Sequence, residues 1–188
     1  MKLPAGRLGE TLRWTKLPKY MKDDELQLRP LRISDMQFLK TGLTAEGMLN
    51  AGGLGKPLRL SGLMVWWLLK RASVCCYCVL VQSRRIGLMS LQNLVLGKSA
   101  ELSLAILDPE LRGCGYGTRA FCLVTDSLTQ GSVVEELWVQ VNTANDAAVR
   151  FWKKLGFVTV RAVDHCRGGQ LPVRAALAAA LPGVPSLG

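Results

Sequence analysis

The 188-residue sequence has little charge for its length and no long hydrophobic run, and both shortages limit what it can be. Charged residues make up 20% and hydrophobic residues 49%, a balance that favours a packed domain over a disordered chain. The longest central apolar run, Leu63 to Leu69, ends at Lys70 and falls far short of the roughly 18 residues that a membrane span needs. We therefore expect one cytoplasmic domain with no membrane partner.

Metal-binding and disulfide patterns are also missing. The sequence holds one histidine and six cysteines, of which Cys75, Cys76 and Cys78 fall in one strand-like run. No second Cys-x-x-Cys pair completes a zinc site. We therefore expect no metal, and we expect the cysteines to be buried free thiols that pack as small apolar residues.

Acidic residues are scarce, since 24 lysines and arginines stand against 14 aspartates and glutamates and give a net charge of +10. Such a balance suits polyanionic partners, among them coenzyme A, a ribosome or nucleic acid. No run of five like charges and no basic motif interleaved with aromatics occurs, so the sequence supports ribosome or nucleic-acid contact only weakly. An ordinary solubilising surface explains the positive charge more simply. A homodimer is a further partner that the sequence allows.

The most informative segment, residues 101–118, reads as a strand that leads through a glycine-rich turn into a helix. Leu102, Leu104 and Ile106 alternate with other residues, which predicts a strand, and Asp108-Pro109 ends it. The turn that follows consists of Arg112, Gly113, Cys114, Gly115, Tyr116, Gly117 and Thr118. Glycine bares backbone N–H groups at the helix N-terminus, and such groups form a site for phosphate.

The spacing of this turn discriminates between phosphate-binding motifs. A dinucleotide fingerprint needs glycine at the position of Thr118, and a P-loop needs a lysine that does not follow here. The pattern Arg112-x-x-Gly115-x-Gly117 instead resembles the pyrophosphate-binding motif of the GNAT superfamily, the acetyl-CoA-dependent N-acetyltransferases. For this segment alone, a tight structural turn is the alternative.

A second segment, residues 145–157, resembles the same superfamily. Asn145 stands at a helix N-cap, an apolar stripe follows at helical spacing, and Gly156-Phe157 closes the helix. A strand from Leu137 to Val141 separates this helix from the glycine turn. The two segments together imply an α/β fold, a single GNAT-like domain whose mixed, mostly antiparallel sheet is flanked by helices.

The remaining sequence predicts the order strand, two helices, three-strand antiparallel meander, helix, strand, helix, strand. We expect an N-terminal extension at 1–24, the domain at 25–165, and a C-terminal segment at 166–188 that forms a last strand or a short helix. Ser34 with Gln37 predicts a capping box, and Ile33 with Phe38 a hydrophobic staple. The opening strand followed by Asp35 resembles the subfamily of ribosomal-protein N-terminal acetyltransferases.

The resemblance implies transfer of an acetyl group from acetyl-CoA to a primary amine, either a protein N-terminus or a small amine. The amine would attack directly in a ternary complex. It also implies that residues 112–118 bind the pyrophosphate and that a main-chain N–H near Ile106 or Leu107 polarises the thioester carbonyl. Asn145 and Trp152 correspond to positions that contact the coenzyme in the family.

Glu101 is the predicted general base, and Ser103 on the same strand face is expected to hold a water molecule. An exposed glutamate at a strand edge is the alternative for Glu101. The family commonly has a tyrosine, as general acid, at the position of Trp152, and indole does not donate a proton usefully. This departure leaves open a non-catalytic acetyl-CoA-binding sensory or regulatory module. An RNA-associated protein that uses the fold as a scaffold is a further alternative.

Overall fold

The computed structural model describes residues 17–43, 59–70, 75–163 and 174–181. The predicted extension up to residue 16, the glycine-rich segment 44–58 and residues 164–173 with His165 lie outside these ranges. The strands are β1 (Met21–Lys22), β2 (Leu26–Pro30), β3 (Cys75–Val81), β4 (Arg84–Val95), β5 (Ser99–Ile106), β6 (Glu136–Asn142), β7 (Val158–Val163) and β8 (Arg174–Ala180). The helices are α1 (Met36–Leu43), α2 (Leu60–Lys70), α3 (Tyr116–Gln130) and α4 (Asp146–Lys154).

These strands form one sheet in the order β1-β2-β3-β4-β5-β6-β8-β7. Every neighbouring pair is antiparallel except β5 and β6, which run parallel because α3 carries the chain back across the sheet between them. The predicted α/β fold with a mostly antiparallel sheet is confirmed, as is the meander β3-β4-β5. The sheet includes β1 and β8, which lie on either side of the predicted bounds 25–165.

Helices cover both faces of the sheet, and the alternation along β5 assigns its residues to one face or the other. Ala100 and Leu102 are buried in the core beneath α3 and α4. Ala105 and Leu107 belong to a second, smaller core beneath α1 and α2. Glu101 and Ser103 alternate with the first pair, so their side chains lie on the α1–α2 face.

The start of α1 differs from the prediction. Residues Ile33–Asp35 form a 3₁₀ turn before α1, and the Asp35 carboxylate accepts a hydrogen bond from the Arg32 N–H at 2.8 Å. Ser34 therefore lies inside the turn and does not cap the helix. Ile33 is 54% exposed, so the predicted staple with Phe38 was also wrong. The carboxylate of Asp35 serves as the cap because Arg29 and Arg85 hold it in place.

Asp35 lies at the centre of a buried ion cluster. The side chain is fully buried and accepts two hydrogen bonds from the Arg29 guanidinium, at 2.7 and 2.9 Å, and one from Arg85 Nε at 2.7 Å. Burial by itself raises the pKa of this carboxyl, but the hydrogen bonds from Arg29, Arg32 N–H and Arg85 outweigh it and lower the pKa to about 2. The cluster joins β2, β4 and the start of α1.

No helix within the described ranges is long and apolar enough to cross a membrane.

Replacing Asp35 with alanine tests the ion cluster. Asp35→Ala leaves the buried Arg29 without its partner, and we expect the free energy of unfolding to fall by about 3–5 kcal/mol. Urea denaturation followed by circular dichroism measures the change. Asp126→Ala, on the exposed side of α3, is the matched control and is expected to change stability by less than about 0.5 kcal/mol. Equal effects of the two substitutions would contradict the role given to Asp35.

The same pair of proteins tests the pKa of Asp35. A carboxyl whose pKa is lower in the folded than in the unfolded state stabilises the fold above its unfolded pKa. That stabilisation is lost as the pH falls from the ordinary value of 3.8 through about 2. The stability difference between wild type and Asp35→Ala should therefore stay constant above pH 5 and shrink only below about pH 4. A difference that shrinks already near neutral pH would count against the pKa.

Candidate active site

The parallel strands β5 and β6 stay together for only part of their length. Their paired residues are Ser99 with Glu136, Ala100 with Leu137, and Glu101 with Trp138. Beyond this last pair, residues 102–106 and 139–142 make no ladder with one another, although β5 continues beside β4 and β6 beside β8. The two strands therefore enclose a V-shaped opening, which has Glu101 and Trp138 at its vertex.

The backbone N–H and C=O groups of residues 102, 104 and 106 in β5 face this opening. Leu107 N–H donates to Ile86 C=O on β4 at 2.8 Å, and Lys98 C=O accepts from Glu136 N–H on the β6 side at 2.9 Å. Backbone groups alternate in direction along a strand, so those of residues 102, 104 and 106 face away from β4. Of the two predicted thioester donors, Ile106 thus presents its N–H to the opening, whereas Leu107 uses its N–H within the sheet.

The glycine turn lies at the wide end of the opening. Gly113 and Gly115 have φ angles of 78° and 86°, and a Cβ atom at either position would meet nothing within 4 Å. Glycine is therefore required here by the backbone conformation and leaves open space above the turn. Gly115 is the N-cap of α3, so the first N–H groups of the helix are directed at that space.

In the same turn, Thr118 and Cys114 face solvent, whereas the Arg112 side chain bonds to the end of β5. Thr118 is exposed, and so is Cys114, which corrects the expectation of a buried thiol; Cys122 is exposed as well. Arg112 donates from Nε to Ile106 C=O at 3.0 Å and from Nη2 to Leu107 C=O at 3.4 Å. Its guanidinium therefore caps the end of β5, between the opening and the glycine turn.

The first turn of α3 is anchored on two sides. Gly117 faces the Phe151 ring of α4, and a Cβ on it would lie 3.4 Å away, which is ordinary van der Waals contact. On the other side, Arg119 donates to Asp23 at 2.6 and 2.9 Å and to Glu25 at 3.0 Å. The hydrogen bonds from Arg119 lower the pKa of Asp23 to about 2. These contacts fix the helix N-terminus relative to β1 and β2.

Helix α4 begins and ends as the sequence predicted. Asn145 Oδ1 accepts from the Ala148 N–H at 3.1 Å, which confirms the N-cap. At the other end Gly156 is left-handed, its N–H donates to Lys153 C=O, and the Phe157 N–H donates to Trp152 C=O, which is a Schellman motif. A coenzyme contact of Asn145 stays a prediction.

Trp152 lies in an aromatic cluster and not on an open surface. Its side chain is 5% exposed, and its ring packs edge-on against Phe121, Phe151 and Phe157 at centroid distances of 6.0, 4.9 and 5.1 Å. The indole therefore contributes to the core between α3, α4 and the sheet. The coenzyme contact that the resemblance implies for Trp152 stays a prediction.

The α1–α2 face at the vertex carries the predicted catalytic side chains. Glu101 is half-buried, and its Oε2 accepts a hydrogen bond from Asn93 Nδ2 at 2.7 Å. Ser103 is exposed and lies opposite Ser90 of β4. Trp138, the neighbour of Glu101 on β6, donates from Nε1 to Glu136 at 2.8 Å. A carboxylate at the base of an opening that narrows toward it can accept a proton from a nucleophile held there.

Sequence reasoning missed Asn93, Trp138 and Arg119. Asn93 could have been noticed, because asparagine is rare in strands and common in left-handed backbone. Trp138 and Arg119 could not, because their partners Glu101 and Asp23 belong to other elements. The structure places the glycine turn at one end of the opening and Glu101 with Ser103 at the other.

A parted parallel strand pair that ends at a glycine turn and a helix N-terminus is the arrangement that the resemblance to the GNAT superfamily implies. The sequence profile of the acetyltransferase (GNAT) domain matches residues 25–158, which is most of the chain. The chain therefore belongs to the GNAT acetyltransferase family. Its relatives include an uncharacterized N-acetyltransferase of Methanocaldococcus jannaschii, which is 30% identical over 97 residues. That match covers 48% of this chain and 42% of the relative, so the chain aligns with less than half of the relative's length.

Two solved structures show the same fold. The apo form of RimL, a ribosomal L7/L12 alpha-N-protein acetyltransferase, matches with a TM-score of 0.72 and 14% identity over 86% of this chain and 93% of its own. The spermidine N-acetyltransferase of Vibrio cholerae, in complex with CoA and spermine, matches with a TM-score of 0.71 and 20% identity over 85% and 97%. At these identities the likeness concerns the fold.

Placing a carboxylate on the glycine turn tests its use as a phosphate site. Gly115→Glu is expected to weaken acetyl-CoA binding at least about 100-fold, because it adds negative charge where the N–H groups converge. Isothermal titration calorimetry measures the dissociation constant. Gly97→Glu is the matched control, since Gly97 also has a positive φ of 67° with nothing within 4 Å but lies between β4 and β5. Equal loss of affinity in both variants would refute a phosphate site at this turn.

Proposed function

We propose that this protein transfers the acetyl group of acetyl-CoA to a primary amine, either a protein N-terminus or a small amine, by direct attack in a ternary complex. The observation that carries the proposal is the opening between β5 and β6, with a glycine turn at its wide end and Glu101 at its vertex. An acyl donor anchored by its phosphates at the turn can extend along the free backbone edge of β5 toward the carboxylate.

The coenzyme fits the residues that are present. Open space above Gly113 and Gly115 accommodates the pyrophosphate, and the N–H groups of residues 115–118 at the start of α3 supply its hydrogen bonds. Thr118, which is exposed, offers a hydroxyl beside them. Asn145 at the start of α4 lies across the opening from β5 and is proposed to contact the pantetheine arm.

The reaction needs one bond formed and one broken. The neutral amine nitrogen attacks the thioester carbonyl carbon, the carbon–sulfur bond breaks, and coenzyme A leaves as the thiolate. The carbonyl oxygen gains negative charge during the attack, and the inward N–H of Ile106 is proposed to stabilise that charge as a fixed dipole. The proton lost by the amine passes to Glu101 through water molecules, one of them held by Ser103, because five residues of extended strand separate residue 101 from residue 106.

Glu101 acts by position more than by basicity. An amine of pKa near 10 is far more basic than a carboxylate, so the proton moves only once the attack has made the nitrogen acidic. Half-burial at the vertex and the hydrogen bond from Asn93 hold the carboxylate in place to receive the proton through water. This arrangement supports catalysis over the alternative of a glutamate at an exposed strand edge.

The leaving thiolate finds its proton elsewhere than at Trp152. The indole is packed among three phenylalanines and has no acidic proton to give. A thiol has a pKa near 8.5, so its thiolate leaves readily at neutral pH and takes a proton from solvent. The tyrosine position of the family has become part of the core in this chain, and the proposed reaction proceeds without a side-chain acid.

The two kinds of acceptor are distinguished by experiment. RimL acts on a protein N-terminus and the Vibrio cholerae enzyme on spermidine, and the fold is common to both. The apolar side chains of α1 and α2, among them Phe38, Leu60 and Met64, pack against the smaller core on the sheet face that also carries Glu101. This face supports an acceptor with an apolar part next to its amine.

Thiol release from acetyl-CoA, followed with a chromogenic thiol reagent, tests the proposed function. We expect release that depends on the acceptor when N-terminal peptides, spermidine and simple amines are compared. Glu101→Gln keeps the size of the side chain and removes the base, and it is expected to lower kcat about 100-fold with little change in the KM for acetyl-CoA. Glu135→Gln, outside the opening, is the control.

The outcomes separate the proposed enzyme from the alternatives. Tight acetyl-CoA binding in wild type with no acceleration by any amine would favour the sensory or regulatory module, for which Trp152 is the sequence argument. Acceptor-dependent release that is unchanged in Glu101→Gln would retain the enzyme and reject the base. RNA binding that persists in Gly115→Glu and weakens steeply with salt would support the scaffold alternative.

A further inference from the structure

Strand β4 contains an irregularity opposite Glu101. Gln92 pairs with Glu101, but the next pair along the ladder is Val95 with Ser99, so two residues of β4, Asn93 and Leu94, stand opposite the single residue 100. Such a bulge re-aims the side chains that follow it. Met89, Leu91 and Leu94 all lie in the core beneath α3 and α4. In a strand without a bulge, residue 93 and not residue 94 would follow Leu91 on that face.

The bulge decides which face Asn93 occupies. In a regular strand residue 93 would continue the alternation of Met89 and Leu91 and point into the core beneath α3 and α4. Asn93 is instead exposed, and its backbone is left-handed with a φ of 52°. Among the strand residues that the structure describes, it is the one non-glycine residue with positive φ. Asparagine tolerates this conformation better than most residues.

The side-chain amide of Asn93 forms a hydrogen bond with Glu101, the proposed base. Asn93 Nδ2 donates to Glu101 Oε2 at 2.7 Å, across the strand pair at the vertex of the opening. By donating to this oxygen, the amide holds the carboxyl group of Glu101 in one orientation.

We propose that Asn93 is a positioning residue for the general base Glu101, and that the bulge in β4 exists to bring its amide to that carboxylate. This inference rests on the proposed function, because it gives Asn93 a role only if Glu101 accepts the proton. The bulge with its left-handed residue and the hydrogen bond to Glu101 are two features of Asn93, and the positioning role explains both.

Two substitutions separate the amide from the backbone. Asn93→Gly keeps a residue that accepts positive φ and removes the donor, whereas Asn93→Asp keeps the shape and places a second carboxylate against Glu101. We expect kcat to fall about 10-fold in Asn93→Gly and further in Asn93→Asp, with the KM for acetyl-CoA unchanged in both. If Asn93 served only the backbone, Asn93→Gly would keep the wild-type kcat, because glycine also accepts positive φ.

A double-mutant cycle with Glu101→Gln supplies the decisive readout. Without the carboxylate there is nothing for the amide to position, so Asn93→Gly should lower kcat less than about 2-fold in the Glu101→Gln background. Ser83→Gly, which changes another left-handed residue in the turn between β3 and β4, is the control for backbone effects. Circular dichroism and thermal unfolding confirm that each variant is folded.

The outcomes distinguish this inference from the proposed function. A loss of kcat in Asn93→Gly that disappears in the Glu101→Gln background supports the positioning role. Wild-type kcat in Asn93→Gly, or equal losses in both backgrounds, would overturn that role while the enzyme and its base stand. If no amine accelerates thiol release in wild type, the proposed function fails and the positioning role fails with it.

Discussion

The early end of the ladder between β5 and β6 is the constraint on which the site depends. After the pair Glu101–Trp138 the two strands keep their other neighbours, β4 and β8, but lose each other. Backbone N–H and C=O groups of β5 are thereby left facing a space inside an otherwise continuous sheet. Unpaired strand edges are normally blunted or covered. Here the edge lies inside the sheet, where helices on both faces protect it, and an extended acyl donor can satisfy it.

The arrangement around the opening is held from outside it. The ion cluster of Asp35 with Arg29 and Arg85 ties α1 to β2 and β4, and Arg119 with Asp23 ties α3 to the first strands. Both clusters join elements far apart in sequence. The glycine turn is thus fixed in position by its anchored neighbours and by Tyr116, which packs against the core, while Gly113 and Gly115 leave the space above the turn open.

Much of the fold could be predicted because its strongest patterns are local. The alternation in β5, the N-cap at Asn145 and the closing Gly156 each depend on residues within a few positions, and each was confirmed. The cap predicted at Ser34 failed for the opposite reason. A nearby carboxylate, Asp35, is buried against Arg85 of β4, 50 residues away, and that distant contact decides where the helix starts.

By itself, the sequence determined the order of the elements, the glycine turn between a strand and a helix, and the family resemblance, since all of these follow from spacing along the chain. Tertiary structure alone decided that Ile106 and not Leu107 turns its N–H into the opening, that Trp152 is part of the core, and that Asn93 reaches Glu101. These outcomes depend on which strand lies beside which and on a single bulge. Ladder pairing and the direction of a side chain are set by partners that no local pattern identifies.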